Sequence, residues 1–321
     1  MILTTFLLFL SACAVLILAG SFGVRALSRL ASFLRMEEFI VSFIIMAFST
    51  SIPELMVGIT SALHKNNAIA LGTVIGSNLA DVTLITGIVI LLNRGIKTNK
   101  SRIILKETRW MIALAILPMI LMVIGHELSR WDGITLIATY GFYLWNLILR
   151  IKKTREVKDG VTKLQSIGYT LLLLVSIFLL FKSSDYVVIY GTDLATELSL
   201  PPLLIGLFFV AIGTSLPELV FETRAVKLGH STMALGDIIG SVIANSSLVL
   251  GISAVINPIN ANYNLFLISA AFMLVSIFIF NVFFESGRGF TIREGIGLIL
   301  LYVLFFIIEL TLRGVIVSLP M

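Results

Sequence analysis

The feature that most constrains this chain is an internal repeat that places a proline and a glutamate inside apolar sequence, twice. Residues 47–55 read Ala-Phe-Ser-Thr-Ser-Ile-Pro-Glu-Leu, and 164 positions later residues 211–219 read Ala-Ile-Gly-Thr-Ser-Leu-Pro-Glu-Leu. The register holds without a gap through a second match, where Ala70-Leu71-Gly72-Thr73-Val74-Ile75-Gly76-Ser77 faces Ala234-Leu235-Gly236-Asp237-Ile238-Ile239-Gly240-Ser241. Asp81 then falls opposite Asn245.

With 58% apolar residues, 13% charged residues and a mean hydropathy of +1.05, the chain is far from a soluble domain. Apolar stretches of about 20 residues predict ten membrane-spanning helices, at roughly 2–24, 38–62, 69–92, 103–124, 132–150, 166–190, 201–225, 233–256, 264–284 and 294–312. A carboxylate in such a span costs roughly 2.5–3.5 kcal/mol, so Glu54, Glu218 and Asp81 together cost about 8–10 kcal/mol. That penalty calls for something cationic to offset it.

The net charge of +5 does not indicate a nucleic-acid partner, because its distribution follows the loops. Assigning loops alternately to two faces puts 19 of the 23 lysines and arginines on one side and Lys65, Arg130, Lys182 and Arg313 on the other. This asymmetry marks the first face as cytoplasmic and places both termini outside, in a multi-pass protein of the cell membrane with the lipid bilayer as its surroundings. Leu10-Ser11-Ala12-Cys13 resembles a lipoprotein cleavage box, but the apolar run continues past it, so the segment is expected to remain as the first span. Cys13, the single cysteine, excludes an intrachain disulfide and reads as a packed small hydrophobe.

Five spans per half, an odd number, force the second half to enter the membrane the other way round. The expected organisation is an all-α polytopic protein with a first five-helix repeat over 1–150, a short basic cytoplasmic linker over 151–165 and a second, inverted repeat over 166–321. At the same offset Ser21 meets Asp185, and Leu30-Ala31 meets Leu194-Ala195.

Pro53 and Pro217 cannot donate a backbone hydrogen bond, and each releases a carbonyl about one turn earlier. Helix breaks at membrane depth are tolerated where the loosened oxygens face protein or a cavity, and transporters build ion sites from them. Thr50, Ser51 and Glu54 flank the first break, and Thr214, Ser215 and Glu218 the second; at three and four residues apart, hydroxyl and carboxylate point into one space. Ser77 and Asp81, and Ser241 and Asn245, repeat the four-residue spacing in the next helices. An all-oxygen set without histidine or cysteine suits hard cations, and its irregularity favours Ca²⁺ over the octahedral Mg²⁺. Gly72, Gly76, Gly236 and Gly240 read first as close helix packing.

On these motifs the chain resembles the cation/Ca²⁺ exchanger superfamily, and specifically the prokaryotic sodium/calcium exchangers, over roughly 40–90 and 204–254. The resemblance implies cation ligands at Thr50, Ser51, Glu54, Ser77 and Asp81 with Thr214, Ser215, Glu218, Ser241 and Asn245, plus the carbonyls of Ala47 and Ala211. Glu54 and Glu218 become the central Ca²⁺ ligands, and the others mainly serve flanking Na⁺ sites. The implied activity is Na⁺/Ca²⁺ antiport by alternating access, with Ca²⁺ and Na⁺ as cargo, no cofactor and a single chain completing the site as a monomer. The chain departs from the family pattern at Ser49, Thr73 and Asp237, and it carries the acid in the first half (Asp81) and the amide in the second (Asn245). Asp237 reads as a helix-start cap.

Three carboxylates balance three Na⁺, whereas one Ca²⁺ leaves one negative charge unless Asp81 holds a proton; three-for-one exchange moves one net charge per cycle, and the first and sixth spans are expected to gate it. H⁺/Ca²⁺ and K⁺-dependent exchange remain alternatives within the class. A cation channel is a distant one, since a channel gains its pore from several subunits. An enzyme is excluded because His64, His126 and His230 lie near span ends with no metal-ligand pairing and neither Ser51 nor Ser215 has a base. Lys182 and Asp185, three apart in the sixth span, are expected to pair or to lie at a gate edge, Glu309 and Arg313 to lie at the interface, and Trp110, Trp131 and Trp145 to anchor at the membrane surface.

Overall fold

The computed structural model describes residues 2–33, 47–97, 102–150, 163–260, 263–286 and 289–312. The described chain is helical except for a two-residue ladder and short turns. Helix α1 (Ile2–Phe33) is followed by α2 (Ala47–Thr50), α3 (Ile52–Leu63) and α4 (Asn67–Ala80), which widens through a π turn (Asp81–Ile85) into α5 (Thr86–Leu92). Then come α6 (Arg102–Gly125), α7 (Arg130–Arg150) and α8 (Lys163–Glu197). Helix α9 (Pro202–Leu204) passes through a π turn (Ile205–Val210) into α10 (Ala211–Thr214), followed by α11 (Leu216–Lys227). Helix α12 (Ser231–Ala244) passes through a π turn (Asn245–Val249) into α13 (Leu250–Ile256), and α14 (Tyr263–Ser286) and α15 (Ile292–Leu312) complete the order.

Eight of the described helical stretches are long and apolar enough to cross a membrane. The other two predicted spans are 38–62 and 132–150. Residues 34–46 lie outside the described residues, which leaves the 12-residue α3, and α7 carries Asp132, Asn146 and an arginine at each end. Most of the predicted linker, 151–162, also lies outside the described residues.

The sequence repeat is reproduced by the backbone. Helices α2 and α10, α3 and α11, α4 and α12, the two π turns after them, and α5 and α13 share their bounds at an offset of 164 residues. The turn after α3 reverses at Lys65 (φ 57°), and the turn after α11 reverses at Gly229 (φ 86°), again at that offset. Each proline falls in the first turn of its helix, where a missing N–H leaves no intrahelical bond unmade. The interruption is thus a joint at Ser51 and Ser215, spanned by Ser51 N to Ala47 O at 3.2 Å and Ser215 N to Ala211 O at 3.0 Å.

The two halves interlock. Helix α5 packs on α15, and α13 on α7. At the first crossing a Cβ on Gly87 would lie 2.8 Å from the Gly295 carbonyl oxygen; at the second a Cβ on Gly133 would lie 2.7 Å from that of Gly251. Short pairings tie the ends in the same crossed sense: β1 (Ile96–Lys97) runs antiparallel to β2 (Gly289–Phe290), and Leu128 bridges Ile259. One large apolar core spans both halves, and a second joins α1 and α8, which run along each other. Cys13 is buried in that second core, as its packing reading requires.

Helix α4 meets the Pro202–Val210 segment at van der Waals limits. A Cβ at Gly72 would fall 2.3 Å from Leu203 O and one at Gly76 2.1 Å from Leu207 O, so these glycines serve close backbone approach.

Three expectations about charged residues are corrected. The Asp185 carboxylate pairs with His64, not Lys182. Glu309 is buried and accepts a hydrogen bond from Ser269, so it is not an interfacial charge; its expected partner Arg313 lies outside the described residues. Asp237 stands mid-way along α12 and fully buried, where it cannot cap a helix start. Trp131 and Trp145 are exposed, while Trp110 packs against Phe142 and Tyr143.

Candidate cation site

The joints at Ser51 and Ser215 and the π turns after α4 and α12 converge on one buried polar centre. Thr50, Ser51, Glu54, Ser77, Asp81, Thr214, Ser215, Glu218, Ser241 and Asn245 are all buried, as is Asp237. Two hydroxyl pairs join the halves in a related way: Thr50 Oγ1 and Ser241 Oγ lie 3.2 Å apart, and Ser77 Oγ and Thr214 Oγ1 lie 3.3 Å apart. Each pair links the end of a short helix, α2 or α10, to the second helix after the opposite joint, α12 or α4.

The hydroxyls also reach acceptors. Ser77 Oγ donates to Glu54 Oε1 at 3.1 Å. Thr50 Oγ1 faces Ala47 O at 3.2 Å and Asp237 Oδ1 at 3.3 Å, and its single proton serves one of them at a time. Thr214 Oγ1 donates to Ala211 O at 3.1 Å. Thr50 reaches across to α12, while Ser77 comes to Glu54.

The Ala47 and Ala211 carbonyls each already receive a backbone amide and a threonine hydroxyl. Several other oxygens have no hydrogen-bond partner although buried: Glu54 Oε2, both oxygens of Asp81 and of Glu218, the Ser51 and Ser215 hydroxyls, and both polar atoms of the Asn245 amide. Buried polar groups are almost always satisfied, so such a concentration of orphans in one place indicates room for a partner that binds oxygen. Among the described residues no three Asp, Glu, His or Cys side chains form a ready metal cage, and a cation here would draw on hydroxyls, amide and carbonyls as well as carboxylates.

Two contributors escaped the sequence reading. Asn78, beside Ser77, donates to Ser246 Oγ at 2.8 Å and to Met273 Sδ at 3.6 Å, holding the two π-turn regions together. Glu222, one turn after Glu218, is fully buried with both oxygens unpartnered, and it feels the charges of Asp237 and Asp81. The only sequence signal for it was a departure from the repeat, since Gly58 stands at the matching place. Glu54, Asp81, Glu218, Glu222 and Asp237 together carry an insertion cost on the order of 12–17 kcal/mol.

Beside α11 a cleft of about 420 Å³ is lined by Ser21, Arg25, Arg29, Pro217, Arg224 and His230, among others. The positions matching Ser21, Leu228 and His230 in the other half are Asp185, His64 and Asn66, and there the surfaces meet. His64 Nε2 lies 2.6 Å from Asp185 Oδ1, and Asn66 Nδ2 donates to Thr192 Oγ1 at 2.6 Å.

The family model described as sodium/calcium exchanger protein matches residues 4–149 and 168–311. The chain is 27% identical to the sodium/calcium exchanger MaX1 of Methanosarcina acetivorans over 96% of this chain and 99% of that protein. It is 31% identical to the inner membrane protein YrbG of Escherichia coli over 68% of this chain and 70% of that protein. Among solved structures, the sodium-calcium exchanger NCX_Mj soaked with Na⁺ and without Ca²⁺ superposes with a TM-score of 0.66 at 22% identity, covering 96% of this chain and 99% of that one.

Proposed function

The chain belongs to the sodium/calcium exchanger protein family, and from that premise we propose that it exchanges Na⁺ for Ca²⁺ across a membrane by alternating access. It is a transporter and not an enzyme. The observation that carries the reading is the paired hydroxyl contacts Thr50–Ser241 and Ser77–Thr214 with the unpartnered oxygens of Glu54, Asp81 and Glu218 beside them. Every atom offered is a hard oxygen donor, the class that Ca²⁺ and Na⁺ select.

In this reading Glu54 and Glu218 hold Ca²⁺ from the two halves, and Ser51, Ser77, Asp81, Ser215, Ser241 and Asn245 complete it and the flanking Na⁺ positions. The carbonyls of Ala47 and Ala211 contribute when Thr50 and Thr214 turn their protons elsewhere. Empty, the site leaves carboxylates bare in a low-dielectric interior, which penalises reorientation without cargo and couples the two fluxes.

The spans number ten, in two five-helix repeats of opposite orientation, and α1 with α8 forms the gate. Two supports stand behind this: the shared 164-residue offset of the element bounds, and the different state of the two matched clefts, one held by His64–Asp185 and Asn66–Thr192 and the other open beside Pro217. The distribution of basic loops supports a reading in which the open cleft faces the cytoplasmic side of the cell membrane, with both termini outside and a single chain sufficient.

The test is ⁴⁵Ca²⁺ uptake into proteoliposomes loaded in turn with Na⁺, K⁺ or H⁺ in excess, with Glu54→Gln as control. Uptake driven by internal Na⁺ and lost in the variant is expected. Uptake driven by H⁺ alone moves the protein to proton coupling, and uptake without any counter-ion sinks the exchanger reading.

A further inference from the structure

The repeat is broken at two places on helices that pack against each other, α11 and α12, and both breaks introduce an acid. Where the first half has Gly58, the second has Glu222; where the first has Thr73, the second has Asp237. The first-half residues are structurally committed. A Cβ on Gly58 would lie 2.6 Å from Ser253 Oγ and 3.0 Å from Val249 Cγ1, and the Thr73 hydroxyl is spent on Ile69 O at 2.8 Å.

Their second-half counterparts are not committed. Glu222 and Asp237 are fully buried; both Glu222 oxygens and Asp237 Oδ2 lack any hydrogen-bond partner. Asp237 is the carboxylate that acts most directly on Glu222, with Asp81 next. Among the described residues no lysine or arginine forms an ion pair with either. Unpaired carboxylates buried away from water must hold either protons or a cation, and the unpartnered oxygens of Glu222 and Asp237 are free to serve a cation. Asp237 Oδ1 takes the Thr50 hydroxyl at 3.3 Å, and Thr50 also touches Ser241, so the pair adjoins the central site without being part of its matched set.

We propose that Glu222 and Asp237 form a second cation station, one helical turn beyond Glu218 toward the Lys227 end of α11, that takes a divalent cation of the transported kind. Resting on the exchanger reading, it deepens it: the two charges of the pair match one Ca²⁺, held by the two carboxylates with the remaining positions filled by water. Because only the second half carries it, the station serves one side of the membrane, on the half of the molecule where the cleft beside Pro217 opens. A cation waiting there meets Glu218 as its next ligand.

Equilibrium ⁴⁵Ca²⁺ binding to the purified protein at low Na⁺ tests this. Glu54→Gln disables the central site, so that variant is expected to keep one Ca²⁺ per chain, and Glu54→Gln/Glu222→Gln to lose it. Glu54→Gln/Asp237→Asn provides the same reading should the first double variant elute as aggregate. If Glu54→Gln keeps no Ca²⁺ while the wild type binds and exchanges it, or if the retained Ca²⁺ ignores both second substitutions, the station is refuted and the exchanger reading stands. A wild type that neither binds nor exchanges Ca²⁺ overturns both.

Discussion

His64 Nε2 lies 2.6 Å from Asp185 Oδ1, fastening the end of α3 to the middle of α8. The matching residues in the other half, Leu228 and Ser21, line an open cleft instead. In the proposed gate this pair closes one entrance while its counterpart stands open. Asp185→Ala is therefore expected to shift the population toward the conformer open at His64. Cys13 is the only native cysteine and is buried, so Thr192→Cys in a Cys13→Ala background reports the change. Thiol labelling at that position should rise severalfold; an unchanged rate dismisses the contact as incidental.

Removing one central carboxylate leaves its partner facing hydroxyls that cannot neutralise a divalent ion. Glu54→Gln and Glu218→Gln should each lower Ca²⁺ exchange by on the order of 100-fold or more, since even second-shell changes at metal sites cost about 10–100-fold. Ser77→Ala, which takes away the hydroxyl 3.1 Å from Glu54 but no charge, should cost less, about 10–100-fold. Initial rates in proteoliposomes decide both, and equal losses in the two classes would contradict the assigned roles.

Gly76→Ala places a methyl 2.1 Å from the Leu207 carbonyl oxygen, where only backbone movement can make room. Overpacking of this kind costs about 1–3 kcal/mol. The variant should melt several degrees lower in detergent, whereas Gly141→Ala, which meets nothing nearby, should not.

Three Na⁺ for one Ca²⁺ moves one net charge, worth about 2.3 kcal/mol per 100 mV. The Ca²⁺ gradient at which flux reverses should then shift about 50-fold when 100 mV is imposed, since 1.4 kcal/mol is tenfold. A reversal point that ignores voltage would establish electroneutral exchange.

The 164-residue repeat made the joints at Ser51 and Ser215 legible before any coordinates, because a proline beside hydroxyls in apolar sequence has few other uses. It did not reveal the π turns at Asp81–Ile85 and Asn245–Val249, since a widened turn has no residue signature of its own and depends on what the helix packs against. Cross-half contacts such as Thr50–Ser241 were invisible for a related reason: helical spacing reports neighbours along one helix and is silent about which helix lies opposite. Asp237 was misread as a cap because its type favours helix starts, and only its buried surroundings assign it to the centre. Glu222 went unnoticed because attention to the repeat selects what the halves share, whereas Glu222 is informative through what they do not.

The glycine crossings at Gly87–Gly295 and Gly133–Gly251 mean that each half finishes the other's packing. A lone half would present an unfilled groove to lipid and would depend on meeting a second copy, an encounter governed by concentration. Joining the halves in one polypeptide makes that encounter intramolecular, at an effective concentration fixed by the short connection. Assembly of the ion site then becomes a first-order event: its yield is independent of expression level, and no copy is left waiting for a mate.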